Sequence, residues 1–460
     1  AATHTRFGYY RANNYDDLID HPVEMGRPHV ISFVAGGVVH DMVFTGILPN
    51  IDLERIATDV AKICEAQIRL FEPESGTPPF GDHSNRYVFM TTVTGSDYGG
   101  LEHRNSTALI CSRNSLPTVG EKKQSKAYRD FLGLVSHEYF HSWNVKRIKP
   151  AAFAPYQLDK PTPTSLLWIF EGFTSYYDDL MLLRSGLITE QQYFDLIAET
   201  ISRVNNDSGR IKQSLAESSF DAWTKFYQQD ENARNQIVSY YSKGALVALC
   251  LDLLIRQHTN HTHSLDDVMR YLWQHYGKNF YRGEAKGLRE EDVLDVLHNA
   301  TSVDINILDE FLERNVYGTK KLHLKELLAA EGLKLGKKTD DNAPSVSLDI
   351  RTIQRNDQCV IHSVMQHGVA HKGGLSAGDI IVAIDYLRID ANNLNEVLGR
   401  YQQKQSAIVH VFRRDELRYF TVEFDAPLYT EFSIKRTKAR DKTMSFAHTQ
   451  SAESKEEQGD

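Results

Sequence analysis

No stretch of this 460-residue chain approaches the roughly 18 consecutive apolar residues that a bilayer-spanning helix needs. Its longer apolar runs, such as Ala245 to Ile255, are broken by charges like Asp252 and suit core helices. Cysteine is scarce: Cys64, Cys111, Cys250 and Cys359 lie far apart without CxxC spacing, which argues against a disulfide framework or a thiolate zinc site. Excess positive charge is missing as well. The formal net charge is −9, which excludes a general nucleic-acid binder that covers phosphates with a basic face. It does not exclude a local cationic pocket. The opening AATHTRFGYY lacks a basic-then-apolar leader pattern. Because Ala1 reads as a processed end or a cut boundary, that says little about export. A soluble protein is expected, with the cytoplasm favoured over the periplasm and the compartment left open.

What is present describes an ordinary globular chain. Hydrophobic residues make up 41% and charged residues 25%, and the length suffices for two or three domains. Residues 1 to 25 read as a lead-in. From His29 to Ile47 the pattern predicts strands broken at Gly36-Gly37, and Asp52 to Leu70 carries apolar residues at helical spacing. Strands are predicted at Tyr87 to Val93 and Ala108 to Cys111. After Lys126 the chain reads as helical for about 200 residues, including Phe131 to Asn144, Leu166 to Ser185, Thr189 to Asn205 and Gly244 to Thr259. Ser264 with Asp267 forms a capping-box pattern. Beyond Lys338 short strands return at Cys359 to Val364, Ile380 to Ile384, Ala407 to Phe412 and Tyr419 to Phe424. The polar stretch 435–460 is expected to be a disordered tail.

The sharpest chemical signal is His137-Glu138-Tyr139-Phe140-His141. Residues four apart share a helical face, so both imidazoles reach one ion, and a carboxylate after the first ligand suits a general base. Three protein ligands and an open position are what a catalytic zinc requires. Thirty residues on, Glu171 lies within the apolar, aromatic stretch WIFEGFTSYY, an expensive place for an unpaired charge. Zinc ligation would offset that cost; pairing with a buried base such as Arg147 is the alternative.

The segments HEYFHSWNVKRIKP and WIFEGFTSYY resemble those of the glycyl aminopeptidase family, PDZ-bearing gluzincins related to aminopeptidase N. The resemblance implies an α+β fold, with a thermolysin-like catalytic domain (an α/β lobe plus a helical lobe) over residues 26–330. Residues 1–25 would be the remnant of the family's N-terminal β domain. It further implies one Zn2+ held by His137, His141 and Glu171, with Glu138 as the catalytic base. Gly99-Gly100-Leu101-Glu102-His103 is similar to the Gly-x-Met-Glu-Asn exopeptidase motif of aminopeptidase N relatives, with Leu101 for Met and His103 for Asn. Gly99 and Gly100 would let a peptide backbone approach, and Glu102 would bind its α-ammonium. Tyr240-Tyr241-Ser242-Lys243-Gly244 looks like the Tyr-x-Lys-Gly segment, which assigns oxyanion stabilisation to Tyr241. The expected activity is removal of N-terminal glycine or alanine from peptides with free N-termini.

Residues 338–428 are expected to form a PDZ-like domain. In GVAHKGGLSAGDIIVAIDYLRID, Ala370, Gly374, Leu375, Gly378 and Asp379 match the bacterial PDZ core pattern. Such domains add a peptide strand to a sheet edge, which makes a peptide ligand the candidate partner there. Two further readings stay open from sequence: a zinc hydrolase of a non-peptide substrate, and a catalytically silent PDZ protein that binds peptides.

Overall fold

The structure is a computed structural model that describes residues 9–82, 84–283, 285–338, 344–437 and 446. β1 (His29–Ala35) and β2 (Val38–Thr45) form a hairpin. Its turn residues, Gly36 and Gly37, take φ of +53° and +74°, a left-handed conformation that glycine adopts without a Cβ penalty. β3 (Arg86–Thr94) runs parallel to β2, β5 (Ser106–Ser112) runs parallel to β3, and β4 (Gly99–Glu102) pairs antiparallel with β5. The order β1-β2-β3-β5-β4 leaves β4 on an edge. Across the sheet lies the helix Leu53–Phe71, capped by the Asp52 side chain and burying Ile56, Val60, Ile63 and Ile68 on one stripe.

The helix Lys126–Phe140, capped by Ser125, sits between this sheet and the helical half of the molecule. Helices Thr174–Arg184, Glu190–Asn206 and Ser242–His258 continue the same core, so one apolar interior runs from the sheet to the helices. The Ser264–Asp267 capping box is present. The predicted helices are met within a few residues, except that one opens in a wider π-helical turn, Trp168–Phe173, and two end in one, at Trp273–Gly277 and Glu313–Tyr317.

A two-stranded ribbon follows: β6 (Leu333–Lys337) pairs with β13 (Phe432–Arg436). Between them the chain forms β7 (Ile350–Arg355), β8 (Gln358–Val364), β9 (Ile380–Ile384), β10 (Leu387–Arg388), β11 (Ser406–Arg413) and β12 (Glu416–Glu423). These make a sheet in the order β12-β11-β9-β8-β7, with β10 on β9 and a separate apolar core from Val346 to Phe424. The four strands predicted in this region are found as β8, β9, β11 and β12. Asn235 ties the unit to the helical half, donating to the Val364 carbonyl at 2.8 Å and accepting from the Gln366 backbone at 3.0 Å.

The start of the expected tail needs correction. Lys435 and Arg436 belong to β13, because Ile434 is fully buried and Arg436 pairs with Glu190 of the helix Glu190–Asn206. Phe446 is also buried, against Tyr193 and Phe194. The rest of 438–460 lies outside the described residues. Among the described residues no helix is long and apolar enough to cross a membrane.

Candidate metal centre

Helical spacing sets the two imidazoles of the HExxH segment side by side, ring centroids 4.7 Å apart. The opposite face of the helix, with Phe131, Leu132, Val135, Tyr139 and Phe140, is buried and fixes its rotation. Each imidazole is aimed by its second nitrogen. His137 Nδ1 lies 3.0 Å from Asp178 Oδ2, and His141 Nδ1 lies 2.6 Å from the Asn144 carbonyl. Both Nε2 lone pairs are thereby left for one point in space, the arrangement that metal-binding histidines use.

Glu171 comes to that point from a different element. Its π-helical turn widens the backbone just where the carboxylate must leave the helix, a feature common at functional sites. Asn144 links the pieces: its amide donates to the carbonyls of Ile169 and Phe170, at 3.1 and 3.3 Å, while its own carbonyl holds His141. Glu171 Oε2 lies 3.3 Å from His137 Nε2 and 3.4 Å from His141 Nε2, yet this buried oxygen has no hydrogen bond. Arg147, the alternative partner, donates instead to the carbonyls of Arg104 and Ser142.

The electrostatics point the same way. Burial alone would raise the Glu171 carboxyl, but the neighbouring imidazoles, His141 foremost, hold it well below the usual range. Burial likewise opposes charge on His137, and the Asp178 and Glu171 carboxylates overcome it, holding that imidazole well above its ordinary value. Positive charge among the three side chains is therefore favoured, whether as imidazolium or as a bound cation. Two imidazoles, one carboxylate and an orphaned buried oxygen fit a divalent cation of the zinc type.

The second wall of the site is the edge strand β4. The Glu102 carboxylate lies within 4.8 Å of ligand atoms of both Glu138 and His141. Burial first, then Glu102 and Glu171, push the Glu138 carboxyl up, to about 7, against the pull of the two histidines. Gly100 is dictated by this contact, since a Cβ there would run into the Glu138 carboxylate. A Cβ at Gly99 would meet only ordinary contact with Ile110. The turn after β4 is clamped by the lead-in: Asp20 accepts from Arg104 Nε at 2.7 Å and from the Arg104 backbone at 3.1 Å.

Tyr241 stands at the start of the helix Ser242–His258, its ring centroid 6.2 Å from that of His137. Its hydroxyl is 3.1 Å from the Tyr227 hydroxyl, and burial, with Glu171 next, raises it well above the ordinary phenol range. It therefore stands beside the site as a neutral phenol. Two glycines bring it there: the Cβ that Gly172 lacks would lie 2.6 Å from Gly244 Cα, so the Glu171 turn and this helix touch backbone to backbone.

The structure thus brings together His137, Glu138, His141, Glu171, Glu102, Gly100 and Tyr241, with Gly99 one residue further out on the same strand. Sequence reasoning missed Asp178, Asn144, Tyr227, Asp20 and the Gly172–Gly244 contact. Asp178 lies seven residues after Glu171 in the same apolar stretch. The cost of burying it was the signal that could have revealed it.

The profile of the M61 glycyl aminopeptidase family matches residues 130–247. A crystal structure of an aminopeptidase N family protein from Idiomarina loihiensis aligns with a TM-score of 0.88 and 40% identity, covering 95% of this chain and 73% of that one. Two HtrA-type protease structures, solved with a decapeptide and a tripeptide, overlap 18% of the chain at 21% and 20% identity. They cover 29% and 32% of those chains, with TM-scores of 0.17 and 0.16. No curated protein matches. The profile runs from the HExxH helix through Glu171 to Tyr241, and a solved aminopeptidase N relative is 40% identical along nearly the whole chain; this protein belongs to the M61 glycyl aminopeptidase family.

Proposed function

We propose that the chain is a zinc-dependent aminopeptidase that removes N-terminal residues, glycine or alanine foremost, from peptides. The observation that carries this reading is the Glu102 carboxylate beside Glu138 and His141, next to the His137–His141–Glu171 cluster. Two carboxylates held this close repel each other, and a cation bound at Glu102 would relieve that repulsion. A free α-ammonium group is such a cation, and binding it one residue from the reacting carbonyl counts residues from the N-terminus.

His137, His141 and Glu171 would hold the zinc, which supplies Lewis acidity that polarises a carbonyl and acidifies water. The chain's own groups do the rest. The open edge of β4 pairs with the incoming peptide backbone, and Gly100 lets that backbone lie close to Glu138. Glu138 Oε2, buried and without a hydrogen bond, takes a proton from the attacking water and passes it to the leaving amine. The Tyr241 phenol donates to the oxygen that gains charge as the carbonyl is attacked. Asp178 keeps His137 in the tautomer that presents Nε2 to the ion.

Residues 338–428 are read as a PDZ-like domain, with a peptide ligand adding a strand at the free edge of its sheet. The test of the catalytic reading is hydrolysis of glycyl and alanyl chromogenic amides, each with a free or an acetylated α-amine. Cleavage confined to free-amine substrates is expected; equal cleavage of the acetylated forms would overturn the aminopeptidase assignment.

A further inference from the structure

A cavity of about 470 Å³ lies on the helical half of the molecule, between the end of the helix Glu190–Asn206, the start of the helix Ser242–His258, the segment 314–326 and the β6–β13 ribbon. That volume is in the range of small-molecule sites. Its lining is unusual for a chain with a net charge of −9: seven Lys or Arg side chains face one carboxylate, Glu326. None of the seven is in an ion pair among the described residues. Lys320, Lys321, Lys325 and Lys337 are exposed and form the mouth.

Lys243 forms the closed end. It is only 2% exposed, and its Nζ has no hydrogen-bond partner. Glu217 attracts it through space without a hydrogen bond to it, accepting instead from the Ser214 backbone at 2.8 Å. Burial, with Arg210 adding to it, pushes the Lys243 ammonium down to about 8, so it keeps its proton at neutral pH. The ammonium also sits at the positive end of a 17-residue helix, where the backbone dipole adds to its unfavourable position. A buried, unpaired charge is strongly destabilising unless something neutralises it. Arg314 adds a further positive charge to the lining, its guanidinium donating to the uncharged acceptor His323 Nε2 at 2.5 Å.

We propose that this cavity binds a small anion bearing two phosphate groups, one held by Lys243 and Arg210 at the closed end and the other by the lysines of the mouth. Two dianionic groups match a cationic lining at both ends, and each contact would be a charge-assisted hydrogen bond. The site is separate from the metal centre but shares a helix with it. Lys243 is two residues from Tyr241 and adjacent to Gly244, which touches the Glu171 turn. Occupancy should therefore be felt at the metal centre.

The test is calorimetric titration of the full chain with fructose 1,6-bisphosphate, a weak chelator, against fructose as the uncharged control. One saturable site per chain that weakens as salt is raised is expected. The double substitution Lys321→Gln/Lys325→Gln, at exposed positions, should weaken binding about tenfold or more, the effect of losing charge-assisted contacts. Lys243→Met should weaken it at least as much. It should also leave the ligand-free melting temperature unchanged or higher, because it removes an uncompensated charge. Absence of saturable binding to the wild type overturns the proposal, as does binding undiminished by Lys243→Met. Should that variant fail to fold, undiminished binding in the double variant overturns it instead.

Discussion

The two walls of the candidate site are built on opposite principles. The metal wall is helical and buried, and its two imidazoles are aimed from behind: Asp178 holds His137, and Asn144 holds both His141 and the Glu171 turn. The β4 wall is a short edge strand that meets the first wall through Gly100 against Glu138, with the Glu102 carboxylate within 4.8 Å of Glu138 and His141. In the proposed function, a buried wall would fix a metal and a proton acceptor in place. An open edge leaves backbone and one carboxylate free to be completed by a substrate.

Substitutions on either wall should separate these roles. Glu138→Gln keeps the shape of the metal wall but removes its base, and turnover should fall by roughly 10²–10⁴-fold with zinc retained. Steady-state kinetics beside metal analysis would show it, and near-normal turnover would refute the role given to Glu138. Gly100→Ala acts from the other wall on the same carboxylate. Its Cβ displaces Glu138, and a misplacement of this kind costs on the order of 10²-fold in kcat. If the variant is fully active, the walls do not meet as described.

Glu102→Ala leaves the metal wall intact. It should reduce kcat/KM for free-amine substrates by roughly 10–100-fold, the worth of a charge-assisted hydrogen bond. Inhibition by simple amines such as glycinamide should weaken in parallel, whereas an unchanged inhibition constant would remove the ammonium from this position. The smallest effect is expected behind the metal wall. Asp178→Asn should lower zinc affinity by about tenfold, measurable by competition with a chelating dye.

The same contrast explains what could be read without a structure. The helix bearing His137 and His141 follows from apolar periodicity, and Glu171 stands out because a carboxylate among Trp168, Phe170 and Phe173 must be paid for by a partner. The strands β8, β9, β11 and β12 are short apolar or β-branched runs, which is enough for a local pattern to find them. β4 could not be found that way, because a four-residue edge strand with two glycines carries little apolar signal. The ribbon β6–β13 pairs residues about 100 positions apart, which no local pattern reveals. Gly172 and Gly244 were visible as residues but not as a contact, since their meaning lies in the crossing of two helical segments. Asn144 was legible only as part of a motif, and its bridging role depends on the turn that ends the HExxH helix.

The proposed chemistry requires one ion, which His137, His141 and Glu171 would hold. Zinc analysis of the purified chain, beside a variant carrying His137→Gln, His141→Gln and Glu171→Gln together, tests this most directly. One zinc per wild-type chain and almost none in the variant is the predicted result. Absence of zinc from the wild type after reconstitution, or its undiminished retention by the variant, would contradict the account.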